Sequence, residues 1–332
     1  MSRQHRSCTT TFATLAALFT TLLMTFAAAA EPFDLQAHRG GRGLWPENTL
    51  AAFDKAVTLG VSTLELDIAM TADDVLVVSH DLALNPDHTR DATGAWVAAP
   101  GPLIRSLTFA QLQAYDIGRI QRGTDYAKQF AYQSPRDGER IPSLASVFEM
   151  VSARGAYTVR FNIETKTDPT RPSDTAPPDV MVRALLAEIE KAGMASRVTV
   201  QSFDWRTLTL VGQRAPGITR AYLTTARTLA DRRWTDEVDA AAFASTPQLV
   251  KAAAGTRSGS VVWSPTSRDA TATTVMEARS LGLQVIPWTV NKRNEMSALI
   301  GLGVDGLITD YPDVLRDVMR AQGMALPAAY KR

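Results

Sequence analysis

Cysteine is nearly absent from the chain, which holds a single thiol, Cys8, in 332 residues. One cysteine excludes an intramolecular disulfide and a zinc site built on several thiolates. Neither sign of charge dominates, because 35 Lys and Arg stand against 34 Asp and Glu. This balance argues against a nucleic-acid-binding protein that relies on a strong positive field. The chain must therefore depend on a hydrophobic core, and its 45% of hydrophobic residues can supply one.

Only one stretch of the sequence is strongly apolar, and it lies at the N-terminus. Two arginines precede an apolar segment over residues 12–26, and three alanines follow just before Glu31. This is the pattern of a secretory signal peptide, so residues 1–30 are predicted to be removed on export. A retained membrane anchor is the alternative, although the segment is short for a spanning helix. We expect a periplasmic or secreted protein with no stable membrane insertion after cleavage, whose mature domain is 31–332.

Export would leave a mature chain with few soft metal ligands. Removing 30 of the 332 residues leaves 302, with 33 basic and 34 acidic residues and thus a net charge of −1. Cleavage also removes Cys8 and one of the four histidines. Metal binding by the mature chain would therefore depend mainly on carboxylate oxygens.

Short β-branched apolar runs alternate with amphipathic helical segments through the predicted domain, which favours βα units and a parallel sheet. One helix is predicted to be capped by Asn48 or Thr49 and to end just before Gly60. The link over residues 71–74 is too short for a parallel crossover, so the second and third strands are predicted to form a hairpin. The other eight then make a TIM (β/α)8 barrel. The predicted strands are Asp34–His38, Thr63–Met70, Val75–His80, Thr158–Glu164, Val198–Phe203, Thr219–Leu223, Ser260–Ser264, Leu283–Val290 and Gly306–Thr309.

Residues 81–142 interrupt this alternation. They are rich in Asp, Gly, Pro and Arg, and only the segment 108–117 predicts a helix. Thr108, with Gln111 three residues later, resembles a capping box at its start. We expect an insertion over the barrel mouth, and not a second domain.

Acidic residues on two predicted strands suggest a metal site. Glu65 and Asp67 are two residues apart and share one face of a strand, while Leu64 and Leu66 occupy the other. Two buried carboxylates repel each other unless a proton or a cation lies between them. An all-oxygen site favours Mg²⁺ or Ca²⁺ over Zn²⁺, and Glu164 can complete it from another strand end. The alternative is a solvated acidic face on an edge strand.

Two histidines and two cations lie at strand ends, where a TIM barrel carries its active groups. His38 and His80 could act as general base and general acid near neutral pH, or they could be structural histidines. Arg39 precedes a glycine-rich stretch and suits bidentate phosphate recognition. Lys166 faces the same way as Glu164 and would add a second positive charge. His88, in the insertion, is given no catalytic role.

Four motifs follow one another within 45 residues, and further blocks recur later in the chain. Together they resemble the signature of the glycerophosphodiester phosphodiesterase family, in its periplasmic branch. The early motifs are His38-Arg39-Gly40, Pro46-Glu47-Asn48-Thr49, Glu65-x-Asp67 and His80-Asp81. The later blocks are Asn162-Ile163-Glu164-Thr165-Lys166, Gln201-Ser202-Phe203, Pro287-Trp288-Thr289-Val290-Asn291 and Asp305-Gly306-Leu307-Ile308-Thr309-Asp310. One departure is Asp74, at a turn position where the family often carries glycine.

The resemblance implies a TIM barrel that hydrolyses small glycerophosphodiesters to an alcohol and sn-glycerol 3-phosphate. It implies that the glycerol 2-hydroxyl attacks first, giving a cyclic phosphate that water then opens. It further implies one divalent cation, Ca²⁺ or Mg²⁺, bound by Glu65, Asp67 and Glu164, with His38 and His80 as the acid–base pair. The residues predicted to bind substrate or its phosphate are Arg39, Lys166, Glu47, Gln201 and Trp288.

Three alternatives stay open at this stage. A lysophospholipase D or a phosphatidylinositol-type phosphodiesterase would use the same machinery, but it should show an apolar rim, which residues 81–142 do not predict. A non-catalytic phosphodiester-binding surface protein should lack part of the acid–base or metal set. A metal-dependent sugar isomerase on the same barrel would usually place a histidine among its metal ligands, and none lies near Glu164.

Overall fold

The computed structural model of the chain describes residues 1, 2, 4, 32–256 and 259–331. The chain divides into two units, Met1–Glu31 and Pro32–Arg332, and the described helices and strands lie in the second. Apart from residues 1, 2 and 4, the predicted signal peptide and its cleavage site lie outside the described residues. Across the part of the chain that is described, no helix is long and apolar enough to cross a bilayer.

Eight parallel strands and one antiparallel strand form a single sheet within the described residues, as the sequence predicts. The strands are Asp34–Ala37 (β1), Thr63–Met70 (β2), Leu76–Val78 (β3), Arg160–Thr165 (β4), Val198–Ser202 (β5), Thr219–Thr224 (β6), Val261–Pro265 (β7), Gln284–Val285 (β8) and Gly306–Thr309 (β9). They run in the order β8-β7-β6-β5-β4-β2-β1-β9. Beyond β8, the Ile308 amide donates to the Pro287 carbonyl at 3.0 Å and the Val290 amide donates to the Ile308 carbonyl at 2.9 Å. These bonds bring the two ends of the sheet together, and the TIM barrel prediction is confirmed.

A short hairpin joins β2 to β3, so the prediction made from the length of residues 71–74 is confirmed. Met70 lies opposite Leu76 across the hairpin. Asp74 has a φ of 60°, the left-handed conformation that glycine favours. The turn therefore keeps a glycine-like backbone without glycine, and Arg105 pairs with the Asp74 carboxylate at 2.6 Å.

Helices cover the outside of the barrel, where Leu64 and Leu66 of β2 join the main hydrophobic core. The first helix begins after Thr49, whose Oγ1 accepts from the Ala52 amide at 3.1 Å, and ends before Gly60, as predicted. The helices are Leu50–Leu59 (α1), Phe109–Leu112 (α2), Asp125–Gln129 (α3), Leu144–Ala153 (α4), Pro178–Lys191 (α5), Trp205–Arg214 (α6), Ala226–Leu229 (α7), Thr246–Ala254 (α8), Ala272–Ser280 (α9), Arg293–Gly301 (α10) and Pro312–Ala321 (α11).

Residues 81–142 contain α2 and α3 and help to build a small second core. The helix predicted over 108–117 is too long, since α2 ends at Leu112 even though the predicted capping box is present. Asp116 instead exchanges two backbone hydrogen bonds of 2.8 Å with Arg90, and a residue held in such a bridge cannot continue a helix. The buried members of the second core are Ala69, Val77, Leu84, Ile104, Leu112, Ile117 and Ile141. The position of this segment over the barrel mouth stays a prediction, as do the bounds 31–332.

The inside of the barrel has a polar side and an apolar side. On the polar side, the Asn162 amide donates to Gln36 at 2.8 Å and to Gln201 at 2.9 Å, which links β1, β4 and β5. On the other side, a small cluster joins β6 to β9: Ala221, Val262, Ile286 and Ile308, with Trp288 packed against it. This division places polar side chains beneath the strand ends that carry the predicted site.

Candidate active site

Three carboxylates meet at the carboxyl ends of β2 and β4. Asp67 lies directly beside Glu164 across the parallel pair, and Glu65 is one inward-facing position earlier on β2. One oxygen from each of the three lies within 4.8 Å of the others. Glu65, Asp67 and Glu164 are only 2%, 0% and 7% exposed. The predicted cluster is therefore present and buried, and the solvated acidic face is excluded.

Burial makes this cluster electrostatically unfavourable by itself. Burial and the charge of Asp67 raise the pKa of Glu65 well above its usual range. Burial likewise raises the pKa of Glu164 to about 7, against the opposing effect of Lys166. Burial also opposes ionisation of Asp67, but His80, Lys166 and Arg39 hold its pKa well below the usual range. The group therefore favours added positive charge, either protons or a cation.

Neighbouring polar groups hold the cluster in place. The Arg39 backbone amide donates to Glu65 Oε2 at 2.9 Å, and the Gln201 amide donates to Glu65 Oε1 at 2.6 Å. Asn48 donates to Asp67 Oδ2 at 3.2 Å. Gln201 borders the cavity, but its side chain donates to Glu65 and accepts from Asn162, so its substrate-binding role stays a prediction. Such outer contacts fix the orientation of metal ligands.

His38 directly follows β1 and begins a tight turn in which Arg39 has a φ of 51°. Its Nδ1 lies 2.6 Å from Oδ1 of the buried Asp310, which assigns the ring hydrogen to Nδ1. Nε2 then faces the acidic cluster, 4.0 Å from Glu65 Oε2. Burial lowers the pKa of His38, and the nearby charge of Arg42 lowers it further. The ring is therefore neutral near pH 7, as a general base must be.

His80 follows β3 and borders the same cavity as His38. Its Nδ1 lies 2.8 Å from Asp81 Oδ1, so each histidine is held by an aspartate through the same ring nitrogen. The side chain of His80 is 33% exposed, against 10% for His38. Partial burial, followed by the charges of Lys166 and Arg39, lowers the pKa of His80 to about 4. The two rings thus share the same hydrogen-bonding pattern at Nδ1 but differ in their access to solvent.

The charged side chains predicted to bind phosphate form a connected network. Arg39 Nη1 lies 2.8 Å from Glu47 Oε1, and its Nε lies 3.5 Å from Asp67 Oδ2. Lys166 Nζ lies 2.7 Å from Glu164 Oε1 and 3.6 Å from Asp67 Oδ1. Glu47 is an anion joined to the site through Arg39, and this contact orients the guanidinium. The phosphate-binding roles stay predictions.

A cavity of about 100 Å³ opens between these groups and an aromatic wall. Trp288 forms part of this wall, with its Nε1 donating to the Ser264 carbonyl at 3.0 Å. Its ring meets that of Phe203 edge-on, with 5.4 Å between the centroids. The residues lining the cavity are His38, Arg39, Arg42, Glu65, His80, Glu164, Gln201, Phe203, Leu223, Trp288, Thr289 and Ile308. The arrangement sets acid–base and cationic groups opposite a surface suited to carbon atoms.

Sequence reasoning assigned no role to Asp310, which contacts His38 and Arg42, or to Asn291, which contacts Asp310. Asp310 accepts from His38, from Arg42 Nε at 2.7 Å and from Asn291 Nδ2 at 2.7 Å. Asp310 and Asn291 follow the last two predicted strands, and this position is the signal that could have identified them. The sequence does not say which strand end meets His38.

The insertion also reaches the site, through two aromatic residues. The Tyr126 hydroxyl donates to Glu47 Oε2. The Arg42 guanidinium lies over the Phe130 ring, 4.8 Å from its centroid. Both aromatic residues come from a segment without clear periodicity, so the sequence carried no signal for these contacts.

Comparison with known proteins identifies the family. The glycerophosphoryl diester phosphodiesterase family model matches residues 38–314. The chain belongs to this family. A glycerophosphodiester phosphodiesterase from Caldanaerobacter subterraneus subsp. tengcongensis is 28% identical over 292 residues, covering 86% of this chain and 98% of that protein. The family and the enzyme class drawn from the sequence motifs are confirmed.

Solved structures agree with this assignment. The structure of a glycerophosphoryl diester phosphodiesterase homologue from Silicibacter pomeroyi is 32% identical, with a TM-score of 0.79 over 89% of this chain and 95% of that chain. A phosphodiesterase from Oleispira antarctica, solved with sn-glycerol-3-phosphate, is 20% identical, with a TM-score of 0.61 over 86% of this chain and 96% of that one. The second similarity shows the shared fold.

Proposed function

We propose that the chain hydrolyses glycerophosphodiesters to an alcohol and sn-glycerol 3-phosphate, with His38 and His80 as its acid–base pair. The observation that carries this proposal is that both imidazoles border one cavity together with Glu65 and Glu164 of the carboxylate cluster. The name of the Caldanaerobacter relative and the product bound to the Oleispira phosphodiesterase support the same substrate class.

The chemistry of the carboxylate cluster fits one hard divalent cation, Ca²⁺ or Mg²⁺. All three donors are oxygens, and Asp67 Oδ1 accepts no hydrogen bond from the described residues. When bound, such an ion supplies positive charge to a phosphate oxygen. Glu65, Asp67 and Glu164 would hold it, and the amides of Gln201 and Arg39 would orient Glu65.

The proton transfers can be assigned to ring atoms of this chain. His38 Nε2 accepts the proton of the glycerol 2-hydroxyl as that oxygen attacks phosphorus, and protonated His80 gives its proton to the departing alcohol. Water then opens the cyclic phosphate: His80 takes its proton, and His38 returns a proton to the 2-oxygen. Arg39 and Lys166 neutralise the phosphate. The anionic substrate raises the pKa of His80, because a nearby negative charge favours the protonated ring.

The test is a substrate panel combined with three matched substitutions. Glycerophosphocholine, glycerophosphoethanolamine and glycerophosphoglycerol are assayed with EDTA and after each metal is added back. His38→Gln and His80→Gln should each lower kcat by about 10²–10⁴-fold. His88→Gln, a histidine outside the cavity lining, should stay within about threefold of the unmodified protein. Full activity in both of the first two variants would contradict the acid–base assignment, and activity that survives metal removal would contradict the cation.

A lysophospholipase D activity is the second candidate. A human lysophospholipase D is 40% identical over 113 residues, which are 34% of this chain and 31% of that protein. Lysophosphatidylcholine therefore belongs in the same panel. Turnover of that lipid above turnover of glycerophosphocholine would favour this candidate.

Export to the periplasm or the medium is a separate proposal, supported by the pattern of residues 1–30. The expected mature protein begins at Glu31 and contains 302 of the 332 residues. N-terminal sequencing and mass measurement of the exported protein test this. A chain that retains residues 1–30 would contradict cleavage.

A further inference from the structure

We propose that Asp310 is a positioning residue that fixes the tautomer and ring plane of His38, and that Asn291 in turn orients Asp310. The inference rests on the proposed function, in which His38 Nε2 accepts a proton. Asp310 directly follows β9 and is completely buried, and His38 directly follows β1. Their contact exists because β1 and β9 pair side by side, with Ala37 beside Thr309.

The two carboxylate oxygens of Asp310 are committed to different partners. Oδ1 lies 2.6 Å from His38 Nδ1 and accepts from Arg42 Nε at 2.7 Å. Oδ2 accepts from Asn291 Nδ2 at 2.7 Å. Arginine Nε can only donate, so Oδ1 must be an acceptor. His38 Nδ1 therefore finds an acceptor there and must carry the ring hydrogen.

Asn291 cannot reverse its amide to suit another arrangement. Its Oδ1 accepts from the Asp310 backbone amide at 3.0 Å and from Thr309 Oγ1 at 3.3 Å. Its Nδ2 is therefore directed at the Asp310 carboxylate. The side chain at position 310 meets the Asn291 amide group on one side and Arg42 Nε on the other. Both of these groups are donors, so both terminal atoms of the side chain must accept hydrogen bonds. A carboxylate meets this requirement.

The contact with Asp310 determines the state of the other ring nitrogen of His38, Nε2. With hydrogen on Nδ1, Nε2 of His38 keeps its lone pair and faces the acidic cluster, 4.0 Å from Glu65. The other tautomer would present an N–H at that point and could not accept the substrate proton. A wrong tautomer or a tilted ring should thus slow chemistry without weakening substrate binding.

Exchanging the side chains at positions 310 and 291 separates the positioning role of Asp310 from the effect of its charge. In Asp310→Asn, the new amide must turn its NH₂ group either to His38 and Arg42 or to Asn291, and both sides offer donors. We expect kcat to fall by about 10²–10⁴-fold, with KM within about threefold. In Asp310→Asn/Asn291→Asp, every donor again meets an acceptor while the charge moves to position 291. The exchange should recover at least about tenfold of the lost kcat.

A second readout does not depend on turnover. The chain has four histidines, so ¹⁵N-histidine spectra of the metal-loaded protein can be assigned with the histidine variants above. The hydrogen on His38 should be at Nδ1 in the unmodified and exchanged proteins and shared between the nitrogens in Asp310→Asn. Asp204→Asn is the matched control, because Asp204 is fully buried and pairs with Arg206 at 2.7 Å outside the cavity lining. It should leave kcat and the His38 spectrum unchanged.

The outcomes distinguish this inference from the proposed function. Unmodified kcat in Asp310→Asn, an unaltered His38 tautomer in that variant, or an exchanged protein no more active than Asp310→Asn would each overturn the positioning role. Failure of the unmodified protein to cleave any glycerophosphodiester would instead overturn the proposed function, and the spectra would still report the tautomer.

Discussion

Replacing Glu164 with Gln should stabilise the metal-free protein at neutral and higher pH. Glu164 is 7% exposed and lies in a group of three carboxylates. Its pKa rises from 4.5 to about 7 on burial, although Lys166 Nζ lies 2.7 Å away. A carboxyl whose pKa is raised by folding subtracts stability as pH rises above 4.5, and the loss is complete above about 7. Gln carries no charge to bury.

The magnitude follows from that pKa. A carboxyl pKa raised from 4.5 to about 7 corresponds to a folding cost of about 3 kcal/mol once the group is ionised. The metal-free Glu164→Gln variant should match the unmodified protein at about pH 4 and exceed its free energy of unfolding by about 3 kcal/mol at about pH 8. Added cation should make the unmodified protein the more stable of the two. A ligand at about 100 times its Kd stabilises a protein by about 2.7 kcal/mol, and only where its binding site is intact.

Urea unfolding of EDTA-dialysed protein across this pH range is the assay, followed by titration with Ca²⁺ or Mg²⁺. Glu149→Gln, at an exposed position of α4, serves as the control and should leave the pH dependence unchanged. A variant no more stable than the unmodified protein at about pH 8 would refute the assignment of electrostatic cost to the cluster. Equal stabilisation of both proteins by cation would refute Glu164 as a ligand.

Three further outcomes are expected. Tyr126→Phe should lower kcat/KM about tenfold, mainly through KM, because Glu47 loses a charge-assisted hydrogen bond. The control is Tyr132→Phe, which should match the unmodified protein in the same kinetic assay because Tyr132 is 87% exposed. Asp74→Gly should raise the free energy of urea unfolding by about 0.5 kcal/mol and Asp74→Ala should lower it by about 1 kcal/mol, because the φ of 60° suits glycine best. Deleting residues 326–332 removes Tyr330, whose carbonyl accepts a hydrogen bond from Arg154 at 2.6 Å. The deletion should lower the free energy of unfolding by about 2–4 kcal/mol, while kcat at room temperature stays unchanged.

Much of the fold could be read from local pattern. All nine predicted strands are present, and the hairpin at residues 71–74 followed from a link too short to cross over. The helix predicted over 108–117 shows the limit of such reasoning, because pairing of Asp116 with Arg90 ended it early. Local propensity is a weak preference that a tertiary contact readily overrides.

The amino-acid sequence alone determined the barrel, the strand ends that carry the ionisable groups, and the membership of Glu65, Asp67 and Glu164 in one cluster. These features depend on the spacing of apolar residues and on the pairing of neighbouring parallel strands. Both are encoded in short stretches of the sequence. Only the tertiary structure decided that Asp310 holds His38, since the two residues are 272 positions apart. Such a contact depends on how the barrel closes and on which donors and acceptors then meet, and no single segment carries that information.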